Sequence, residues 1–190
     1  MTRIGLLLIL VLHSLAVPAE TSADAPLRWS ERTIGWYYNP QNKPDWLGDE
    51  EALEVIRRAA AGWAGCGITF SYRGETDRLP GFMDDANVVG WSRDGKHYSA
   101  WTFWRARRNG VALEADITLY ANIFDSYRQR GIDARLELYK SLVHEFGHVL
   151  GLGHSAVPGD AMSVGTRTRP DRILPSKNDL ARCRERYPAP

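Results

Sequence analysis

The chain lacks net charge: 24 Lys and Arg against 23 Asp and Glu leave a formal +1 at pH 7. It therefore carries no global field that would recruit nucleic acid or an anionic membrane. It also lacks a long hydrophobic run. The apolar stretch over residues 4–17 is interrupted by His13 and Ser14 and falls short of the roughly 20 residues a spanning helix needs, which speaks against a membrane anchor. No cysteine stands directly after that stretch, which speaks against a lipid-modified N-terminus. Internal repeats and low-complexity tracts are absent as well. Arginines gather at 105–108 and again at 167–186 and read as solvated surface.

What is present fits one soluble domain, with 190 residues, 44% of them hydrophobic and 25% charged. Residues 1–19 have the form of a secretory leader: Arg3, an apolar run over 4–12, and the small-residue pattern Val17-Pro18-Ala19 before Glu20. Residues 20–190 then form a single domain, and the expected location is secreted or periplasmic. Export favours one bridge between the two cysteines, Cys66 and Cys183. Its loop would exceed a hundred residues, a closure with a chain-entropy contribution of roughly 4 to 5 kcal/mol. Two free thiols remain the alternative, because spacing does not show whether the Cα atoms meet.

Residues 28–38, "RWSERTIGWYY", read as a first strand stopped by Asn39-Pro40. Asp49 is expected to N-cap a helix whose apolar positions Ala52, Leu53, Val55, Ile56, Ala59, Ala60 and Trp63 follow helical spacing to near Gly65. Strands are expected at 68–72 and 87–92, then at 98–104 and 111–120 around the hairpin signal "RRNG". A βαβ start thus gives way to a meander. Asp133 is expected to cap a second helix with a broad apolar stripe, Gly151 to supply its left-handed exit, and Ser176 with Asp179 to open a last short helix by a capping-box variant.

Three of the five histidines fall within "HEFGHVLGLGH", residues 144–154. His144 and His148, four apart on the second helix, point from one face and converge on one cation. Gly151 has the backbone freedom to turn the chain and return His154 as a third ligand, which leaves a catalytic zinc its open position. Three neutral ligands leave the metal its full charge, which lowers the pKa of a bound water. Glu145, beside the first ligand, reaches that water without occupying a coordination site and is the expected general base. By chance the pattern should arise on the order of 10⁻⁵ times per chain. Of the other histidines, His13 lies in the leader and His97 in a loop without metal duty.

The motif resembles the extended zinc motif of the metzincin metalloendopeptidases. His154 is followed by Ser155, as in the matrixin branch, and Met162 in "AMSV" sits where matrixins carry the methionine of their Met-turn. "EADITLY" (114–120) is similar to the strand preceding the matrixin active-site helix, and "LPSKNDLARCRERYP" (174–188) to the C-terminal helix. The resemblance implies an α+β fold: a twisted mixed five-stranded sheet, two long helices and a small C-terminal subdomain, with the zinc cleft between. Substrate peptide would lie extended along an edge strand around residues 101–105. The tryptophans of that strand read as ordinary strand packing.

The chain departs from the family pattern in three places. No prodomain fits between leader and first strand, so activity is expected once the chain is exported, folded and metallated. Thr118 stands where animal matrixins place a histidine for a second, structural zinc, so one zinc per chain is expected. The Pro-x-Tyr wall after the Met-turn is replaced by "SVGTRTRP" (163–170). Structural calcium has only the scattered candidates Asp84, Asp85 and Asp94. The reading is a secreted zinc endopeptidase, monomeric, acting on extended peptide or protein. The alternatives are a zinc-containing peptide-binding module without turnover and a zinc hydrolase of a non-protein amide.

Overall fold

The computed structural model describes residues 27–163 and 174–189. The leader at 1–19 and most of the altered segment after Met162 lie outside the described residues. Element order is β1 (Thr33–Tyr38), α1 (Asp49–Ala61), β2 (Thr69–Glu75), β3 (Val88–Ser92), β4 (Ala100–Ala106), β5 (Ala112–Tyr120), α2 (Ala121–Gln129), α3 (Ala134–Val149) and α4 (Lys177–Arg186). The strands form one sheet in the order β2-β1-β3-β5-β4. The first four run parallel, and β4 pairs antiparallel to β5.

The mixed five-stranded sheet with its two long helices matches the expected class. The meander does not: β3 pairs with β5, and β4 is displaced to the edge. The β4 to β5 hairpin follows its Asn-Gly signal, whereas the β3 to β4 link carries Asp94-Gly95 without pairing those strands, so local turn chemistry did not decide the strand order. The β3 run Val88–Trp91 is buried throughout, as a central parallel strand covered on both faces should be.

α1 follows the expected spacing, burying Ala52, Ile56, Ala59 and Ala60. Its cap differs. Gly48 occupies the N-cap without a side-chain bond, and Asp49 is the first helical residue, paired with Lys43 at 3.1 Å. There it complements the helix dipole along with Glu50 and Glu51. The helix also stops at Ala61, before a short 3-10 turn over Ala64–Cys66. α2 was not expected. Tyr120 supplies no side-chain cap, so the only sequence signal was the three-residue spacing of Ala121, Phe124 and Tyr127.

α3 crosses beneath the sheet against α1, and Phe146 packs on Trp36 and Phe70 with ring centroids 6.2 and 4.8 Å apart. Its cap is the expected one: the Asp133 carboxylate accepts from the amides of Arg135 and Leu136, both at 3.1 Å. α4 opens with the capping box between Ser176 and Asp179. Cys66 and Cys183 are bridged, their Cα atoms 5.6 Å apart, which staples α4 to the turn after α1. No helix among the described residues is long and apolar enough to cross a membrane.

Candidate metal centre and its cleft

α3 delivers His144 and His148 from one face because residues four apart lie one above the other. Gly151 then turns the chain with φ of +77°, and a Cβ there would lie 2.2 Å from the Leu27 carbonyl oxygen. Only glycine fits both the conformation and the approach. The turn returns His154, whose Nε2 lies 3.2 Å from that of His148; the His144 and His148 Nε2 atoms are 3.1 Å apart. The Arg182 guanidinium clamps this turn by donating to the Gly153 carbonyl at 2.8 Å.

The far ring nitrogens define the tautomers. His144 Nδ1 donates to the Ala161 carbonyl at 2.7 Å and His148 Nδ1 to the Leu152 carbonyl at 2.8 Å, since a carbonyl only accepts. Both Nε2 lone pairs therefore face the common centre, the orientation that carbonyls impose on metal-ligating histidines. Burial pushes His144 below its usual value and His148 down to about 4, with the other ring charges adding to the latter. Neutral imidazoles so placed repel one another unless a cation lies between them. Tetrahedral bonds of about 2.0 to 2.1 Å separate ligand atoms by about 3.3 Å, close to the spacing found. Among the described residues the three histidines are the one such cluster, their ligand atoms within 4.8 Å of one another.

Met162 is fully buried directly beneath the ligand helix. Gly147 makes this possible, because a Cβ there would meet the Met162 sulfur at 2.1 Å and Trp63 at 2.8 Å. Ser155 donates its amide to the Met162 carbonyl at 2.8 Å, tying the third-ligand turn to the methionine turn. Asp179, wholly buried, accepts from the amides of Ala161 at 2.7 Å and Ser176 at 2.9 Å. Asp160 accepts from the Ser155 and Ser176 hydroxyls and from the Asn178 amide at 2.5 to 2.6 Å. The sequence reading missed Asp160; nothing short of the folded turn reveals a carboxylate with three donors.

Glu145 is 8% exposed and lines, with the three histidines, a cleft of ≈ 250 Å³. Burial pushes its carboxyl up to about 7, opposed by hydrogen bonding from Thr102. The cleft's other wall is β4, which contributes Ala100, Trp101, Thr102 and Trp104, with Tyr98 just before it. Trp101 and Trp104 are not packed as interior strand residues: they are 54% and 48% exposed.

Three arginines also depart from the solvated surface expected of them. Arg105 pairs with fully buried Glu114 at 3.0 Å and with Asp85, Arg182 clamps the ligand turn, and Arg186 donates to the Leu27 carbonyl at 2.6 Å. Of the calcium candidates, Asp84 pairs with Arg78, Asp85 with Arg105, and Asp94 bonds Ser92. His97 is exposed in its loop.

The sequence profile described as Matrixin matches residues 28–188. The chain belongs to the matrixin family. Among curated relatives it is 27% identical over 161 residues to Metalloendoproteinase 1-MMP of Arabidopsis thaliana, covering 81% of this chain and 43% of that protein. It is 30% identical over 143 residues to Matrix metalloproteinase-25 of Mus musculus, covering 70% and 22%. The chain thus spans less than half the length of either relative. Among solved structures, the GM1-bound form of the ECX AB5 holotoxin superposes with a TM-score of 0.55 at 15% identity, covering 82% of this chain and 80% of that one; this likeness shows the fold alone. Matrixins are zinc metalloendopeptidases, so membership implies a catalytic zinc, and the tautomers and spacing of this matrixin's three histidines fit one.

Proposed function

We propose that the protein is a secreted or periplasmic zinc endopeptidase, with His144, His148 and His154 as ligands and Glu145 as general base. One observation carries the reading. His148 Nε2 lies 3.1 Å from that of His144 and 3.2 Å from that of His154, and the three line a cleft that Glu145 also lines. When bound, zinc supplies a Lewis acid that polarises the scissile carbonyl and makes water acidic near neutral pH.

Glu145 takes a proton from the attacking water at its carboxylate and returns it to the leaving amine. β4, the sheet edge beside the cleft, presents unpaired backbone groups to an extended substrate, which adds to the sheet as a further strand. Trp101, Trp104 and Tyr98 flank the path. Residues 1–19 serve as the export leader, 20–190 act as one monomeric domain, and the site takes one zinc per chain.

Purified protein lacking residues 1–19 is assayed on unfolded casein beside metal analysis, with and without chelator, and beside Glu145→Ala. One zinc per chain with chelator-sensitive cleavage lost in the variant is the expected result. Zinc without turnover would favour the peptide-binding module, and no zinc would sink the reading.

A further inference from the structure

The general base and the substrate-binding edge strand are joined by side chains that are remote in sequence. The Thr102 hydroxyl, on β4, donates to Glu145 Oε2 at 2.6 Å and lies 3.2 Å from the Glu145 carbonyl oxygen. One helical turn earlier, the Ser99 and Ser141 hydroxyls meet at 2.7 Å. The Ser99 hydroxyl just before β4 and the Thr102 hydroxyl on it therefore hold positions i and i+4 of α3. Among the described residues Glu145 Oε1 has no partner.

We propose that Thr102 is a positioning residue for Glu145: its hydroxyl holds Oε2 so that Oε1 faces the cleft in the orientation that accepts the proton. This inference rests on the reading of Glu145 as base. The physical case is geometric. A glutamate side chain has three torsions and would otherwise sample several rotamers. A β-branched threonine on a strand paired to β5, with Thr102 opposite Ile117, is stiff at its first torsion and presents its hydroxyl from a fixed point. Thr102 itself is only half-buried, so solvent could serve its hydroxyl; Glu145, nearly enclosed, has fewer choices. Because β4 is also the strand along which substrate lies, the contact keeps the base in register with the bound peptide.

The test compares Thr102→Val, Thr102→Ser, Thr102→Ala and Glu145→Ala in the purified protein. With Thr102→Val, kcat falls by about tenfold to a hundredfold while KM stays within about twofold, the signature of lost orientation at the reacting atoms. Thr102→Ser retains kcat within about threefold, and Thr102→Ala, which differs from it by one oxygen, does not. A second readout needs no activity. In chelated protein, Thr102→Val lowers Tm by about 3 to 8 °C in the Glu145 background, where a buried acceptor loses its donor. In a Glu145→Leu background it changes Tm by less than about 2 °C. Equal Tm losses in both backgrounds, or an unchanged kcat, overturn the inference. Cleavage surviving Glu145→Ala overturns the underlying assignment of the base instead, so the two failures are distinguishable. If Thr102→Val does not fold, the Ser and Ala pair decides alone.

Discussion

Buried carboxylates stand on opposite faces of the sheet, and they are held in opposite ways. Ala115, Ile117 and Leu119 of β5 face the core against α3, so strand alternation puts Glu114 and Asp116 on the far face. There Asp116 accepts from the amides of Gly81 and Val88, both at 2.7 Å, and Glu114 from the amides of Asp84 and Asp85 and from Arg105. These bonds strap the loop between β2 and β3 across the sheet. Glu145, on the near side, has one hydroxyl and an open cleft. A carboxylate saturated by backbone donors is a structural fastener, whereas one held at a single oxygen keeps the other for chemistry.

The comparison breaks most visibly at Glu145. Glu145→Ala should lower kcat/KM by about 10² to 10⁴-fold, the usual range for a general base, while Tm falls little or rises, because a desolvated carboxyl is removed. Enzyme assay and thermal unfolding on one preparation check both halves.

Asp116→Ala should do the reverse. The buried Val88 amide and the part-buried Gly81 amide lose their acceptor, so unfolding free energy drops by about 1 to 3 kcal/mol, measured by denaturant titration. Residual kcat/KM at low temperature should stay within about tenfold of the parent. A large activity loss without destabilisation would collapse the distinction between the two carboxylates.

Proton linkage sharpens the contrast further. Burial pushes Asp116 from an ordinary 3.8 up to about 7, against its two backbone donors. The folded state therefore keeps a proton that the unfolded chain has released over that window. Its contribution to stability is complete below about pH 4 and is lost as pH rises through about 7. Denaturation midpoints measured across the window should decline with pH, and less so in Asp116→Asn.

The smallest effect should come from a carboxylate in neither class. Glu51 pairs with Arg135 on the surface, with side chains 38% and 54% exposed. Glu51→Ala should cost less than about 1 kcal/mol and leave activity unchanged, as unfolding and turnover measurements would show.

Legibility differed in the same way across the molecule. The cluster of His144, His148 and His154 was readable because helical spacing and one glycine turn are local geometry. The caps at Asp133 and Ser176 were readable for the same reason. Asp49 misled, since an acidic residue in a first turn and an acidic N-cap share one composition. Trp101 and Trp104 were expected to pack as ordinary strand residues because aromatics favour strands, but they stand half-exposed on the cleft wall. Arg105 and Arg186 looked solvated because nothing in their neighbourhoods announces a buried Glu114 or the Leu27 carbonyl.

The sequence by itself determined what spans a few residues: the histidine face of α3, the turn at Gly151, the position of Met162 eight residues after His154, and the family these residues mark. Only the tertiary structure decided the strand order that makes β4 the cleft wall, the approach of Cys66 to Cys183, the burial of Asp116 and the contact of Thr102 with Glu145. The reason is physical. Backbone periodicity acts over one or two turns, while those contacts join residues 28 to 117 positions apart, and their geometry exists only once the core has closed.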